Sequence, residues 1–191
     1  MKLFVRVNIL ILISIFFTSG CRSVTYADPS HVQGTKQWGV KEVRETSESM
    51  VNSLSNHYFT EIKNGYFEWE RFKNNTSEHI DTDLISNEIS TGLVKRNVPF
   101  VDTRLRENSS KEVSFGQTGM VNGETRVAIG KFKSPSHALK GELNDLVNYE
   151  SGKKIQYIVV TLRLIKLDST RVEWMEQSKF LKISTVEGYG L

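Results

Sequence analysis

The stretch IQYIVVTLRLIKL, residues 155–167, decides the fold class of this 191-residue chain. It is the most apolar segment of the C-terminal third and is rich in β-branched residues, which is typical of a central β-strand. Similar segments lie on either side, at 137–150 and 172–183, and the turn-forming residues of 150–153 and 168–171 separate them from it. Because the turns are short, we expect three consecutive antiparallel strands with the middle strand in the centre.

Upstream of this meander the pattern is mainly helical. Apolar side chains recur at three- and four-residue steps, which predicts amphipathic helices, and an aromatic segment with approximate alternation predicts one strand. In order, the predicted elements are helix 41–59, strand 65–72, helix 82–96, short buried strand 98–102, helix 103–113 ending near Gly116, loop 116–123, and short helix 125–132 with Ala128 and Ile129 inward. Early helices and a late meander predict an α+β fold, in which helices cover one face of a mostly antiparallel sheet.

The N-terminus has the order of a secretory signal peptide: two basic residues, an apolar run over 9–17, and small residues before Cys21. Thr18-Ser19-Gly20-Cys21 resembles the lipobox of bacterial lipoproteins, although Thr18 replaces the usual aliphatic residue. That resemblance implies a diacylglycerol on Cys21, the only cysteine of the chain. Arg22 follows it, not the aspartate associated with inner-membrane retention, which favours the outer membrane. An ordinary signal peptide with a coincidental cysteine and an uncleaved anchor are the alternatives.

Four regions follow from these patterns. They are a signal peptide at 1–20, a lipidated N-terminus with a short flexible tether at 21–38, a globular domain at 39–185, and a flexible tail at 186–191. Without the first region the 25 basic residues fall to 23, against 22 acidic residues. A nearly neutral domain gives no electrostatic argument for binding nucleic acid.

The segment KNNTSEHIDT, residues 73–82, contains a serine, a glutamate, a histidine and an aspartate within five positions. It precedes a predicted helix, so Asp81 or Thr82 is expected as N-cap, Asp83 is expected to complement the helix dipole, and Thr76 and Ser77 are expected to form local turns. This structural interpretation is favoured, a partner-binding surface is second, and catalysis is a remote third.

Catalysis lacks a convergent site in this sequence. Ser77 and His79 are two residues apart with no small-residue elbow, and no pair of histidines has metal-ligand spacing. His31, His57 and His137 fall in the tether, at a helix end and at a strand start. Neither a cofactor motif nor a metal motif is present, so we predict a protein that is not an enzyme and has no cofactor.

Aromatic residues add further candidates. Trp69 and Trp174 are expected in the core or on a sheet face, and Trp38 is expected to fasten the tether to the domain. Tyr149 and Tyr157 flank the first meander turn, where they serve either as exposed anchors for a partner or as cross-strand pairs. The candidate partner-binding residues are Asn75, Thr76, Ser77, Glu78, His79, Tyr149 and Tyr157.

The loop NNTSEHIDT, followed by a helix and then Phe100-Val101-Asp102, resembles the LpoB family of outer-membrane lipoprotein activators of penicillin-binding proteins. Other segments match in the same order, so that the resemblance runs from about Trp38 to Ile183. They are Met50–Leu54, Ser114–Gln117 with Gly119–Val121, Ile129–Lys131, Leu139–Leu143 and Val172–Trp174.

This resemblance implies a non-catalytic, monomeric protein that docks on a periplasmic regulatory domain of a class A penicillin-binding protein and stimulates glycan polymerisation and cross-linking. It also implies a fold similar to the N-terminal domain of TolB. The family's tether is long and rich in proline and glutamine, whereas the tether here has about sixteen residues and one proline. The alternative is a structural or secretion-associated envelope lipoprotein with a TolB-like or curli-secretion-like fold. An envelope hydrolase is a third class.

Overall fold

The computed structural model describes Thr35 and residues 37–185. The predicted signal peptide, most of the tether and the tail lie outside the described residues. The elements are α1 (Val40–His57), continued by a π-helical turn (Tyr58–Ile62), β1 (Phe67–Asn74), α2 (Thr82–Lys95), a 3₁₀ turn (Thr103–Leu105), α3 (Arg106–Gly116), β2 (His137–Glu150), β3 (Lys153–Lys166) and β4 (Val172–Thr185). Within these described residues, no helix is both long enough and apolar enough to cross a membrane.

Four strands form one sheet in the order β1-β2-β3-β4. The meander β2-β3-β4 is antiparallel, and β3 has a partner on each side, as the sequence predicts. The sheet is mixed, because β1 pairs with β2 in parallel. A parallel pair needs a long crossover, and residues 75–136, which contain α2 and α3, supply it. The α+β class is confirmed, with this one parallel pair inside a mostly antiparallel sheet.

Among the described residues, α1 and α2 cover one face of the sheet and no element covers the other, which we call the open face. The core lies between sheet and helices, where apolar residues of the three- and four-residue helical pattern meet alternate residues of the strands. Its fully buried side chains are Met50, Leu54, Phe67, Ile85, Ile89, Leu93, Leu139, Leu143, Val160, Leu162 and Leu164. Trp69 and Trp174 are half-buried and pack against this core, as expected from their strand positions.

Gly141 marks a close contact between β1 and β2. The register shifts between Trp69 and Arg71, which leaves Glu70 as an extra residue and brings Phe72 opposite Gly141. A Cβ on Gly141 would lie 2.6 Å from the Phe72 ring, closer than any real contact. Glycine is therefore required there so that the aromatic ring can lie flat on the neighbouring strand.

Two sequence predictions are wrong. Segment 98–102 forms a single bridge, Phe67 to Phe100, and not a strand. Pro99 has no N–H to extend the ladder, and Asp102 then caps the 3₁₀ turn by accepting from the Arg104 N–H. The second wrong prediction is the helix over 125–132.

Residues 125–132 form turns in which both predicted inward residues are exposed. Ala128 is on the surface and Ile129 is 74% exposed. Gly130 has a φ of +79°, which a right-handed helix does not accommodate. The apolar spacing in this segment covers barely two helical turns, too few for a helix with no partner to pack against. Helix α3 ends at Gly116 as predicted, but it begins at Arg106, and residues 103–105 of the predicted helix form a 3₁₀ turn.

Candidate partner-binding surfaces

The 73–82 loop folds back on itself directly after β1. Asn74 donates through Nδ2 to the carbonyl of Glu78 (2.8 Å), and its Oδ1 accepts from both the N–H and the Oγ1 of Thr76 (2.9 and 2.7 Å). Thr76 thus forms the local turn that its position predicts. These bonds satisfy the backbone of a segment that leaves the sheet, so the loop has one defined shape.

Ser77 makes a long-range contact, not a local one. Its N–H lies 3.2 Å from both carboxylate oxygens of Asp145 in β2, and its Oγ donates to Asp145 Oδ2 at 2.6 Å. The same oxygen accepts from Gln156 Nε2 of β3 at 2.8 Å. Burial alone would raise the pKa of Asp145, but the hydrogen bonds from Ser77 and Gln156 outweigh it and hold the pKa below its ordinary value. An ionised Asp145 therefore fastens the loop to two strands.

Glu78 fastens the beginning of the domain to the same loop. One oxygen accepts from the Trp38 backbone N–H at 2.9 Å, and the other lies 3.1 Å from Lys154 Nζ of β3. The side chain of Glu78 is nearly buried, so both partners compensate for the loss of water. The Trp38 ring meets Phe180 edge-to-face with centroids 5.4 Å apart, which places the residue as the sequence predicts.

The end of the loop starts α2. Asp81 is the N-cap and accepts from the N–H groups of Asp83 and Leu84 at 2.9 and 3.1 Å. Asp83 lies in the first turn, where its charge complements the helix dipole. Of the two expected cap residues, Asp81 therefore performs the role and Thr82 is the first helical residue.

Side chains of the loop alternate between inward and outward. Asn74, Thr76 and Glu78 are half-buried, whereas Asn75, Ser77 and His79 are exposed. The backbone of Asn75 is fixed, because its N–H donates to the Leu143 carbonyl at 2.9 Å. Three of the five loop candidates thus face solvent on a rigid support.

Tyr149 and Tyr157 lie on opposite faces of the sheet. Tyr149 is opposite Lys154 and lies four residues after Asp145 in β2. Because alternate residues of a strand point to the same face, Tyr149 is on the side of the sheet that carries the 73–82 loop. Tyr157 is opposite both Leu146 and Leu181 on the open face. The two tyrosines therefore belong to different surfaces, and only Tyr149, which is 71% exposed, shares a side with the loop.

An exposed apolar patch occupies the open face at the end of the meander. It consists of Leu146, Ile155, Tyr157, Leu181 and Ile183, and we call it the apolar patch. Leu146, Tyr157 and Leu181 form one row across three strands, and Ile155 and Ile183 form the next row. Sequence reasoning found only Tyr157, because which residues share a row depends on strand register. The available signal was the pair of apolar residues on either side of Lys182, Leu181 and Ile183, which point to the same face of a strand.

A cleft of about 620 Å³ lies beside the free edge of β1. Trp69, Phe72 and Phe100 supply its aromatic surface, and Asp102 and Arg104 lie at its rim. Arg104 donates to the Asp102 carboxylate at 2.9 Å, and this hydrogen bond lowers the pKa of Asp102 against the opposing effect of desolvation. The cleft is a second surface with aromatic character, and β1, α2 and residues 100–104 line it.

The serine and histidine singled out in the sequence do not form a catalytic pair, because Ser77 Oγ is bonded to Asp145. A different trio is aligned at the start of β2: Ser136 Oγ lies 2.8 Å from His137 Nδ1, and His137 Nε2 lies 3.0 Å from Glu173 Oε2. Ser136 Oγ also accepts from the Tyr66 N–H at 3.0 Å. These contacts join the residues before β1 and β2 and connect the start of β2 to β4.

Glu173 remains ionised in this arrangement. A hydrogen bond from Arg171 lowers its pKa most, burial opposes the effect, and the contact with His137 lowers it further. Among the residues that the structure describes, no group of three or more histidine, cysteine, aspartate or glutamate side chains is arranged to hold a metal ion.

Comparison with models of known protein families shows the family to which the chain belongs. The family model "Peptidoglycan-synthase activator LpoB" matches residues 41–180. This range runs from the first turn of α1 to Phe180 in β4 and includes the 73–82 loop and most of the sheet. The chain therefore belongs to the LpoB family of peptidoglycan-synthase activators. The resemblance carried by NNTSEHIDT is confirmed.

Solved structures with a similar backbone have little sequence in common with the chain. The LpoB C-terminal domain from Escherichia coli has a TM-score of 0.46 at 9% identity, over 70% of this chain and 96% of that one. Lipoprotein GNA1162 from Neisseria meningitidis has a TM-score of 0.39 at 12% identity, over 63% and 85%. The NMR structure of E. coli LpoB has a TM-score of 0.42 at 7% identity, over 88% and 85%. Among curated proteins, no sequence matches.

Proposed function

We propose that this protein is a non-catalytic lipoprotein, anchored in the outer membrane through Cys21 and facing the periplasm, that binds and activates a class A penicillin-binding protein. The match to the activator family over residues 41–180 carries the proposal. The N-terminal sequence supports the lipid anchor, since small residues precede the single cysteine after a short apolar run.

The partner-facing surface that we propose is the outer side of the 73–82 loop together with Tyr149. Asn75, Ser77 and His79 present hydrogen-bonding groups to solvent, while Thr76 and Glu78 hold the loop from within. A loop that is already ordered loses little conformational entropy on binding, so its contacts contribute more of their energy to affinity. Tyr149 adds a large exposed aromatic ring on the same side of the sheet.

Activation follows from preferential binding. A synthase that exchanges between inactive and active conformations shifts toward the active one if the lipoprotein binds that conformation more tightly. The increase in activity is limited by the ratio of the two affinities, and a tenfold ratio corresponds to about 1.4 kcal/mol. The lipoprotein itself needs no reactive group, only a rigid surface that fits one conformation.

The test uses the mature chain with Cys21 removed and the class A penicillin-binding proteins of the same organism. Saturable binding, with a rise in glycan polymerisation or peptide cross-linking, is the expected result. Tyr149→Ala and His79→Ala should each weaken binding without changing the unfolding midpoint. Phe132→Ala is the matched control, because Phe132 is also an exposed aromatic residue but lies in the turn region after α3.

Three results would decide against parts of this proposal. If no class A synthase binds, the activator role is rejected for this chain. If Phe132→Ala weakens binding as much as Tyr149→Ala does, the assigned surface is wrong. Mass photometry of the soluble chain should show monomers, and a ring would instead indicate the structural or secretion-associated class.

A further inference from the structure

The apolar patch is a continuous cluster of exposed side chains. Leu146, Leu181 and Ile183 are 61%, 63% and 61% exposed, and they adjoin Tyr157 and Ile155 in two consecutive rows of the sheet. Exposed apolar side chains that cluster in this way mark a contact with a partner or a membrane. The family-matched loop does not contribute to the patch, which lies on the other face.

The N-terminal segment enters the domain beside this patch. Thr35 lies with Leu181 and Ile183 in one groove along the outer edge of β4. Lys182 Nζ contacts the Gln37 carbonyl, and the Trp38 ring packs on Phe180. The chain is thus fastened to the same end of β4 that displays the apolar side chains.

The proposed lipid anchor therefore lies within a short reach of the patch. Thirteen residues lie between Cys21 and Thr35, and the fourteen steps from one to the other span at most about 50 Å. A tether of this length confines the domain near the membrane at an effective concentration on the order of millimolar. At that concentration even a weak affinity of the patch for lipid produces high occupancy.

Charge around the patch fits an anionic lipid surface. Lys153 and Lys179 lie on the open face next to the apolar rows, and neither forms an ion pair within the described part of the chain. Glu150 is the acidic neighbour on this face, opposite Lys153. Basic side chains at the border of an apolar surface interact with anionic headgroups while the apolar side chains enter the headgroup region.

We infer that the apolar patch is a membrane-contact site, on which the domain rests against a phospholipid bilayer that contains anionic headgroups. From the proposed function this inference takes only the lipid anchor at Cys21, and it does not depend on the synthase. In this arrangement the open face is toward the bilayer, and α1 and α2 are on the side away from it. Lipid contact and partner contact then use different surfaces, because the outer side of the 73–82 loop and Tyr149 are not part of the patch.

The first test measures polarity at single sites in the lipidated mature chain, reconstituted in vesicles of phosphatidylethanolamine and phosphatidylglycerol. Cys21 is the only natural cysteine, and acylation blocks its thiol, so one introduced cysteine can carry an environment-sensitive fluorophore. Leu181→Cys and Leu146→Cys report on the patch. Val94→Cys is the matched control, because Val94 is also an exposed apolar residue (54%) but lies on α2.

We expect blue-shifted emission and quenching by spin-labelled lipids at positions 181 and 146, and water-like emission at 94. Equal, water-like emission at all three positions overturns the inference. So does a label at 181 that stays water-like on vesicles and becomes shielded only when a class A synthase is added, since the patch is then a protein interface. Mass spectrometry separates the two failures: absence of acyl mass on Cys21 rejects the anchor, whereas acyl mass with a water-like label rejects only the membrane contact.

A second test removes the anchor. The mature Cys21→Ser chain should sediment with the same vesicles, and Leu181→Asp should lower the membrane partition coefficient about tenfold, because one large apolar side chain is lost from the contact. Val94→Asp should leave binding unchanged. Lys179→Glu should weaken binding more strongly at low salt than at high salt. Equal losses in Leu181→Asp and Val94→Asp would contradict the assignment of the patch.

Discussion

Asp145→Asn tests whether the 73–82 loop is fastened by an ionised carboxylate. In the folded protein Asp145 accepts from the Ser77 N–H, from Ser77 Oγ at 2.6 Å and from Gln156 Nε2 at 2.8 Å. Asparagine has one acceptor oxygen, so at least one of these donors loses its partner. The amide of Gln156 is almost fully buried, and its Oε1 has no hydrogen-bond partner within the described residues.

The magnitude follows from these contacts. A hydrogen bond to a charged group contributes about 1.5–3 kcal/mol, and a buried donor left without a partner costs about 1–3 kcal/mol. Asp145 is only half-buried, so solvent screening reduces the first contribution. We expect Asp145→Asn to lower the free energy of unfolding by about 2 kcal/mol at neutral pH.

The pH dependence gives this prediction a second test. The pKa of Asp145 is lower in the folded protein than in the unfolded chain, where it is about 3.9. Its stabilisation is therefore complete above about pH 4 and is lost as the pH falls through the lower folded-state pKa. The difference between wild type and Asp145→Asn should be full at pH 7 and should shrink at about pH 3 and below.

Urea denaturation followed by tryptophan fluorescence measures both quantities. Glu124→Gln is the control, because Glu124 is an exposed carboxylate in a turn and its replacement should change stability by less than about 0.5 kcal/mol. A difference for Asp145→Asn that is as small as the control, or equally large at pH 7 and pH 3, would refute the reasoning.

The remaining predictions concern the same region of the fold. Asp81→Ala should cost about 1 kcal/mol in urea denaturation, because the N-cap of α2 is lost, whereas Thr82→Ala should cost much less; equal costs would mean that the cap is misassigned. Glu78→Gln should lower stability by about 1–2 kcal/mol and shift tryptophan emission to the red, because Trp38 loses its charged acceptor; unchanged emission would argue against this contact. Gly141→Ala should cost about 1–3 kcal/mol, since the added methyl group collides with the Phe72 ring, and an unchanged unfolding midpoint would contradict that packing.

Local patterns predicted the elements that depend on local interactions. The bounds of β2 agree with the predicted 137–150, and β3 and β4 differ from prediction by one or two residues, because alternation and turn residues are read directly from sequence. The pairing of β1 with β2 in parallel depends on a crossover of more than sixty residues, which no local pattern encodes. The predicted helix over 125–132 failed for the opposite reason: its spacing was helical, but the fold supplies no surface to pack against it.

The candidate surfaces also differ in whether local sequence or long-range contacts determine them. The loop was found because its residue types are unusual, and Asp81 was found because helix caps follow simple rules. Four of the five residues of the apolar patch were missed, since Leu146, Tyr157 and Leu181 are far apart in sequence and meet only through strand register. Register is set by the two turns and by which face is buried, and a shift of one residue would send every apolar side chain to the other face.

Residues of the 73–82 loop alternate between two roles: some stabilise the fold, and others are exposed for contact with a partner. Its inward residues, Asn74, Thr76 and Glu78, bond to the protein, and its outward residues, Asn75 and His79, are exposed, although Asn75 Nδ2 also donates to Asn144 Oδ1 at 3.0 Å. A match to the 73–82 loop motif therefore does not by itself indicate a binding surface, because about half of its residues stabilise the fold. Ser77 belongs to both sets, since it is exposed and its Oγ is bonded to Asp145. Replacing His79 should accordingly affect only binding, replacing Glu78 should affect stability first, and replacing Ser77 should change both together.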